Sequence, residues 1–214
     1  MRKAFTMLEL IMVIVVIGIL AVVVIPRTGS NALAEAAVQV ISHIRYTQHL
    51  AMVDDKFDST DSDWYKKRWR LIFGKSDDTE QEWAYTIYFD TATSITADNP
   101  NITFDEIAID PLNKAKLLSG GFSGILNSDD SRANKNMNLG LSYGISNVNL
   151  SGGCTGPRII FDNLGRPMQG TIYNSTTAYE NSDIITSRCD ITLTGDEGTI
   201  TIAVEAETGY AHIL

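Results

Sequence analysis

One carboxylate, Glu9, stands inside an apolar run that extends from Phe5 to Ile25. An acid buried at the middle of a lipid-facing helix costs roughly 2.5 to 3.5 kcal/mol on insertion scales, less near the interface, so such a group is retained for a partner. Glu9 is therefore the first candidate functional residue, and its chemistry is charge pairing. The other reactive side chains offer less. His43, His49 and His212 have neither HExxH nor paired-cysteine ligand spacing, and no phosphate-binding or dinucleotide glycine pattern occurs. Gly121-Phe122-Ser123-Gly124 lacks the spacing of a nucleophile elbow. The chain thus reads as no enzyme, with no cofactor. The acidic pairs Asp77-Asp78, Asp129-Asp130 and Asp196-Glu197 lack the regular oxygen spacing of a calcium loop and read as solvated turns, so no metal is expected. Trp64 to Arg70 (WYKKRWR) is a basic, aromatic patch of the kind that stacks single-stranded nucleic acid. With a formal net charge of −9, the better reading is a strand whose cations balance nearby carboxylates and whose tryptophans pack in a core. No nucleic-acid partner is expected.

The elements that must carry these residues follow from the pattern of apolar positions. The run from Phe5 to Ile25 has the length of a membrane-spanning helix, and Arg2 and Lys3 before it favour a cytoplasmic N-terminus. No small-residue signal-peptidase site follows it, which disfavours a secretory leader removed after the run. Pro26 closes the run, and Arg27 to Asn31 weaken the helix. Leu33, Ala37, Val40, Ile41, Ile44, Gln48 and Ala51 then recur at helical spacing, predicting a one-sided helix to about Val53. Arg68 to Phe73 and Trp83 to Phe89 alternate as half-buried strands, joined by the polar Ser76 to Glu82. Asp90 to Gly153 reads as a loop-rich insertion, with at most short strands or a weak helix near Leu112 to Leu118. Two further hairpins are expected: Arg158 to Met168 turning at Asp162 to Gly165, and Asp190 to Val204 turning at Gly195 to Gly198. A last short strand ends near Ile213. Cys154 and Cys189 fall in the part expected to face an oxidising compartment, where they are free to bridge.

Lys3-Ala4-Phe5-Thr6-Met7-Leu8-Glu9-Leu10 resembles the processing site of type IV pilins and of the pseudopilins of type II secretion. The resemblance implies a cut between Ala4 and Phe5 by a prepilin peptidase, N-methylation of Phe5, and an assembly role for Glu9, the fifth residue of the trimmed chain. Ala4 departs from the family's usual Gly. Pro26 matches the family's helix-kinking proline. The later RIIFDNLGRP segment, the hairpin after it and the closing TGYAHI resemble the exported part of minor pseudopilins of the H type.

The expectation is an α+β chain: a long N-terminal helix, its first half membrane-spanning, packed on an antiparallel β-sheet domain. Residues 1–4 would be a leader, 5–25 a transmembrane helix, 26–53 an amphipathic spine and 54–214 an exported β-rich domain. The expected function is that of a minor pseudopilin, held single-pass in the inner membrane with its C-terminal part in the periplasm. Its partners would be the prepilin peptidase, other pilin or pseudopilin subunits and the inner-membrane assembly platform. The alternatives are a minor pilin of a type IV pilus, a DNA-uptake pilin, and a plain membrane-anchored exported domain.

Overall fold

The computed structural model describes residues 7–24, 31–91, 102–170 and 174–214, without the side chains of 19–24. Two compact units result, Met1–Asn31 and Ala32–Leu214. The first unit holds α1, Met7–Val24. Its 18 residues span about 27 Å at 1.5 Å per residue, short of the ~30 Å hydrocarbon core of a bilayer. Among the described residues no helix is long and apolar enough to cross a membrane. This overturns the expected membrane-spanning first half, and with it the basis for a single-pass inner-membrane placement. The sequence run was counted from Phe5 to Ile25, whereas α1 is described from Met7 to Val24.

The second unit is organised on α2, Ala32–Val53. Leu33, Ala36, Ala37, Val40, Ile41, Ile44, Thr47 and Ala51 are buried, a stripe at spacings of three and four that puts one face on the core. Ala36 and Ala37 carry only methyl groups, so the backbone comes close to the strands. Thr47 enters this stripe because its hydroxyl donates to His43 O at 2.7 Å, which satisfies it without water.

Two four-stranded antiparallel sheets, rather than the single sheet expected, pack on that face. The first comprises β1 (Arg70–Gly74), β2 (Ala84–Tyr88), β4 (Arg158–Phe161) and β5 (Pro167–Met168), in the order β2-β1-β4-β5. The second comprises β3 (Ile145–Gly152), β6 (Cys189–Gly195), β7 (Gly198–Val204) and β8 (Ala211–Ile213), in chain order. Leu71, Phe73, Tyr85, Ile87, Ile159 and Phe161 from the first sheet share one core with Ile191, Leu193, Ile202 and Val204 from the second.

The three expected hairpins are present. β1 and β2 pair from Arg70↔Tyr88 to Gly74↔Ala84. The β4–β5 turn is closed by Asp162, whose carboxylate accepts the amides of Leu164 and Arg166 at 3.0 and 2.8 Å. β6 and β7 are joined by only Asp196-Glu197, with Gly198 at φ +125°.

Residues 102–153 are more ordered than expected. The eight-residue β3 pairs with β6 along its length. Helix α3 (Leu139–Tyr143) lies here, whereas Leu112 to Leu118, where at most short strands or a weak helix were expected, form turns and an isolated Ile109↔Leu117 bridge.

Candidate functional site

On α1 every described residue from Met7 to Gly18 is exposed, and all but Glu9 and Gly18 are large and apolar. Met7 and Leu8 are 81% and 77% exposed. Such a surface is not amphipathic, because apolar residues point in every direction. It leaves no solvated face, and so calls for apolar cover all round. Glu9 lies exposed in the first turn, where a carboxylate also complements the positive end of the helix dipole. The expected processing residues Ala4 and Phe5, and Pro26, lie outside the described residues.

The second unit brings Cys154 and Cys189 together as a disulfide, with Cα atoms 5.0 Å apart. Register explains the match. Cys189 pairs with Gly152 in the β3–β6 ladder, which leaves Cys154 just beyond the end of β3. The bridge ties that exit to the start of β6, while Gln169 Nε2, just after β5, donates to Gly153 O at 2.6 Å.

The residues of the basic, aromatic patch are largely committed to the fold. Lys66 pairs with Asp63 at 2.9 Å and Lys67 with Asp61 at 2.6 Å. Trp69 Nε1 donates to Asp54 at 2.8 Å. Arg68 is buried, its guanidinium 4.9 Å from the Trp64 ring centre and 4.6 Å from that of Tyr179. The Trp64 face that a nucleobase would stack on is thus shared with an internal cation.

One constellation had not been singled out from the sequence. Strand alternation sends Arg70 and Arg158 to the side of the first sheet away from α2, together with Tyr88 and Thr86. Arg70 is fully buried, its Nε donating to Arg68 O at 2.9 Å, with Nη2 on Lys66 O. Burial pushes the Arg70 guanidinium below its ordinary range, and Tyr88 and Asp90 oppose that shift. Glu106 lies close by. Burial pushes its carboxyl up, but donors from Thr91 and Thr103 outweigh that and hold it below the usual range. Thr91 N and Thr103 N both reach it at 2.6 Å. The arginines of strands RWRLIF and RIIF were visible in the sequence; their burial against acids from the insertion was not.

Several of the remaining candidates have structural partners. Asp78 accepts the amide of Gly124 at 2.7 Å, and Asp130 holds Arg132 at 2.8 Å. Among the described residues no group of three metal-ligating side chains forms. His43 Nδ1 lies 2.6 Å from the Tyr85 hydroxyl, which also accepts from Gln39 Nε2 at 3.0 Å. His212 Nε2 meets Glu205 at 2.9 Å. No protein-family model, curated protein or solved structure matches the chain.

Proposed function

We propose that the chain is a pilin-like structural subunit, a minor pseudopilin of a type II secretion system. A prepilin peptidase would trim it between Ala4 and Phe5, and the product would join a filament of like subunits. The observation that carries the reading is the join of the Lys3-to-Glu9 motif to a helix exposed and apolar on all sides, with Glu9 as its only described charge. Helices of that kind cover one another, as the core of a filament requires. The second unit, with its spine helix under two sheets, would supply the surface that distinguishes one subunit from the next. Other subunits, the peptidase and the assembly platform are the partners this role needs.

In this role Glu9 neutralises the new amino group at Phe5 of a neighbouring subunit. Pairing would bring the amine and the carboxylate into an apolar core together. Desolvation offsets much of the attraction, so the pair sets register between subunits more than it adds cohesion. Glu9→Leu should therefore be cut normally and yet enter filaments poorly. Crosslinking of sheared filaments measures incorporation, and the mass of the same chains reports cutting. Normal incorporation of Glu9→Leu would remove the pairing role, and loss of cutting would assign Glu9 to the peptidase step instead.

A further inference from the structure

The outer backbone groups of an edge strand can pair with another chain, so edges are commonly covered, shortened or charged. Three of the four sheet edges are managed in this way. β2 is bridged on its outer side through Ala84↔Asn138, Thr86↔Ser119 and Tyr88↔Ile107, and β5 through Met168↔Ile184. β8 has only three residues. β3 is different. It runs for eight residues at the edge of the second sheet, and among the described residues no backbone partner lies on its outer side.

Register decides which of its groups point outward. The two-residue turn after β6 makes Gly195 and Gly198 exchange both backbone bonds, so Leu193 and Ile191 also bond towards β7. Thr194, Thr192 and Asp190 therefore bond towards β3, where they face Asn147, Asn149 and Ser151. That leaves the N–H and C=O groups of Val148 and Leu150 directed away from β6. Both side chains pack on the core, while Asn149 between them is exposed. Beside this edge lies a hollow of about 230 Å³, lined by Trp83, Val148, Asn149, Leu150, Gly156 and Pro157.

The edge is also neutral. From Asn136 to Pro157 no residue is charged, in a chain with 26 acidic and 17 basic side chains. β3 carries neither lysine nor proline, and its register shift falls before Asn147, clear of the exposed groups. Such a strand suits a copy of itself. When two are set antiparallel about Asn149, Val148 of each lies opposite Leu150 of the other, beside the hollow. Four backbone bonds then form, apolar residues meet on the core side, and Asn149 meets only Asn149 on the other.

We propose that β3 pairs with β3 of a second copy of this chain, antiparallel about Asn149, which joins two four-stranded sheets into one of eight. The contact is short beside the roughly 1,200 Å² that stable complexes bury, and a net charge of −9 on each copy opposes it. Association is therefore weak and depends on concentration. The proposal does not rest on the filament role, and either reading can fail alone.

Energy transfer between full-length chains carrying donor or acceptor labels at the C-terminus, in detergent micelles, tests it. Transfer should rise with chain concentration. Asn149→Lys sets like charges opposite each other at the axis and should weaken association at least about tenfold, as should Asn149→Asp. A mixture of the Lys and Asp chains sets opposite charges there and should associate about as well as the unaltered chain. The side chain is exposed, so both variants should keep the melting temperature. Three results would each overturn the proposal. One is no association of the unaltered chain at ~1 mM. Another is association that Asn149→Lys leaves unchanged, which would assign the contact to a different surface. The third is a mixture that associates no better than either variant alone.

Discussion

At the scale of single residues, the second unit places ionisable side chains by burial first and by charge second. His43 shows the consequence. Burial against the Tyr85 hydroxyl lowers its pKa from 6.5, and Asp110 opposes the shift only in part. An imidazole whose pKa is lower folded than unfolded binds fewer protons in the native state. Its effect on stability is therefore absent above the unfolded value near 6.5 and grows as pH falls below it. His212 works the other way. Its hydrogen bond with Glu205 raises its pKa, so its contribution is present below 6.5 and is lost as pH rises through the folded value. Melting followed by circular dichroism at pH 7.5 and 5.5 should show that His43→Gln reduces the acid loss of stability. An unchanged acid loss would mean that His43 titrates as it does in the unfolded chain. Glu9 was legible in the sequence at this scale, because a lone acid in an apolar run is conspicuous without any knowledge of tertiary structure. The Arg70, Arg158 and Glu106 group was not. Alternation shows that Arg70 and Leu71 face opposite ways, but it does not show that residues 102 to 126 cover the arginine face and turn it inward.

At the scale of elements, the strands that were legible are those with clean alternation and paired glycines or an Asx turn. β3 was missed for a physical reason. Its sequence, ISNVNLSG, has few residues that favour strands, and a register shift between Ile145 and Asn147 breaks the period of two. Its fully buried apolar residues, Ile145 and Val148, are consequently three apart. Helix α3 escaped for a similar reason: five residues give no periodicity, and their ends carry the signal. Asn138 Oδ1 accepts the Leu141 amide at 3.0 Å, and Gly144 closes the helix at φ +67°. Loops also hold the spine helix in place. Gln48 Nε2 donates to Gly165 O at 2.7 Å and to Thr208 O at 2.8 Å. Gly209 sits at φ +64°, and a Cβ there would lie 2.7 Å from Gly165 O. Gly209→Ala should therefore cost more than about 1 kcal/mol, since neither backbone angle nor space admits a methyl group. Denaturant unfolding measures it, and a loss under ~0.5 kcal/mol would show that the loop yields.

At the scale of the molecule, the α+β character is common to the sequence reading and the structure, whereas the membrane-spanning half-helix and the single sheet are not. An α+β chain with a one-sided spine helix follows from periodicity alone, whereas two sheets instead of one depend on β3. Hydropathy marked where α1 lies, but among the described residues no helix is long and apolar enough to cross a membrane. The disulfide acts at this scale too, by closing a span of 35 residues. In the chain-entropy account such a link stabilises by about 4 kcal/mol, so Cys154→Ala with Cys189→Ala should lower unfolding free energy by ~3 to 4 kcal/mol. An unchanged midpoint in denaturant would show that the bridge adds no net constraint. The central claim concerns the other end of the chain, where the motif around Phe5 meets α1. Intact-mass spectrometry after coexpression with a prepilin peptidase tests it most directly. The account predicts a chain that starts at Phe5 and is heavier by one methyl group; chains that start only at Met1 would contradict it.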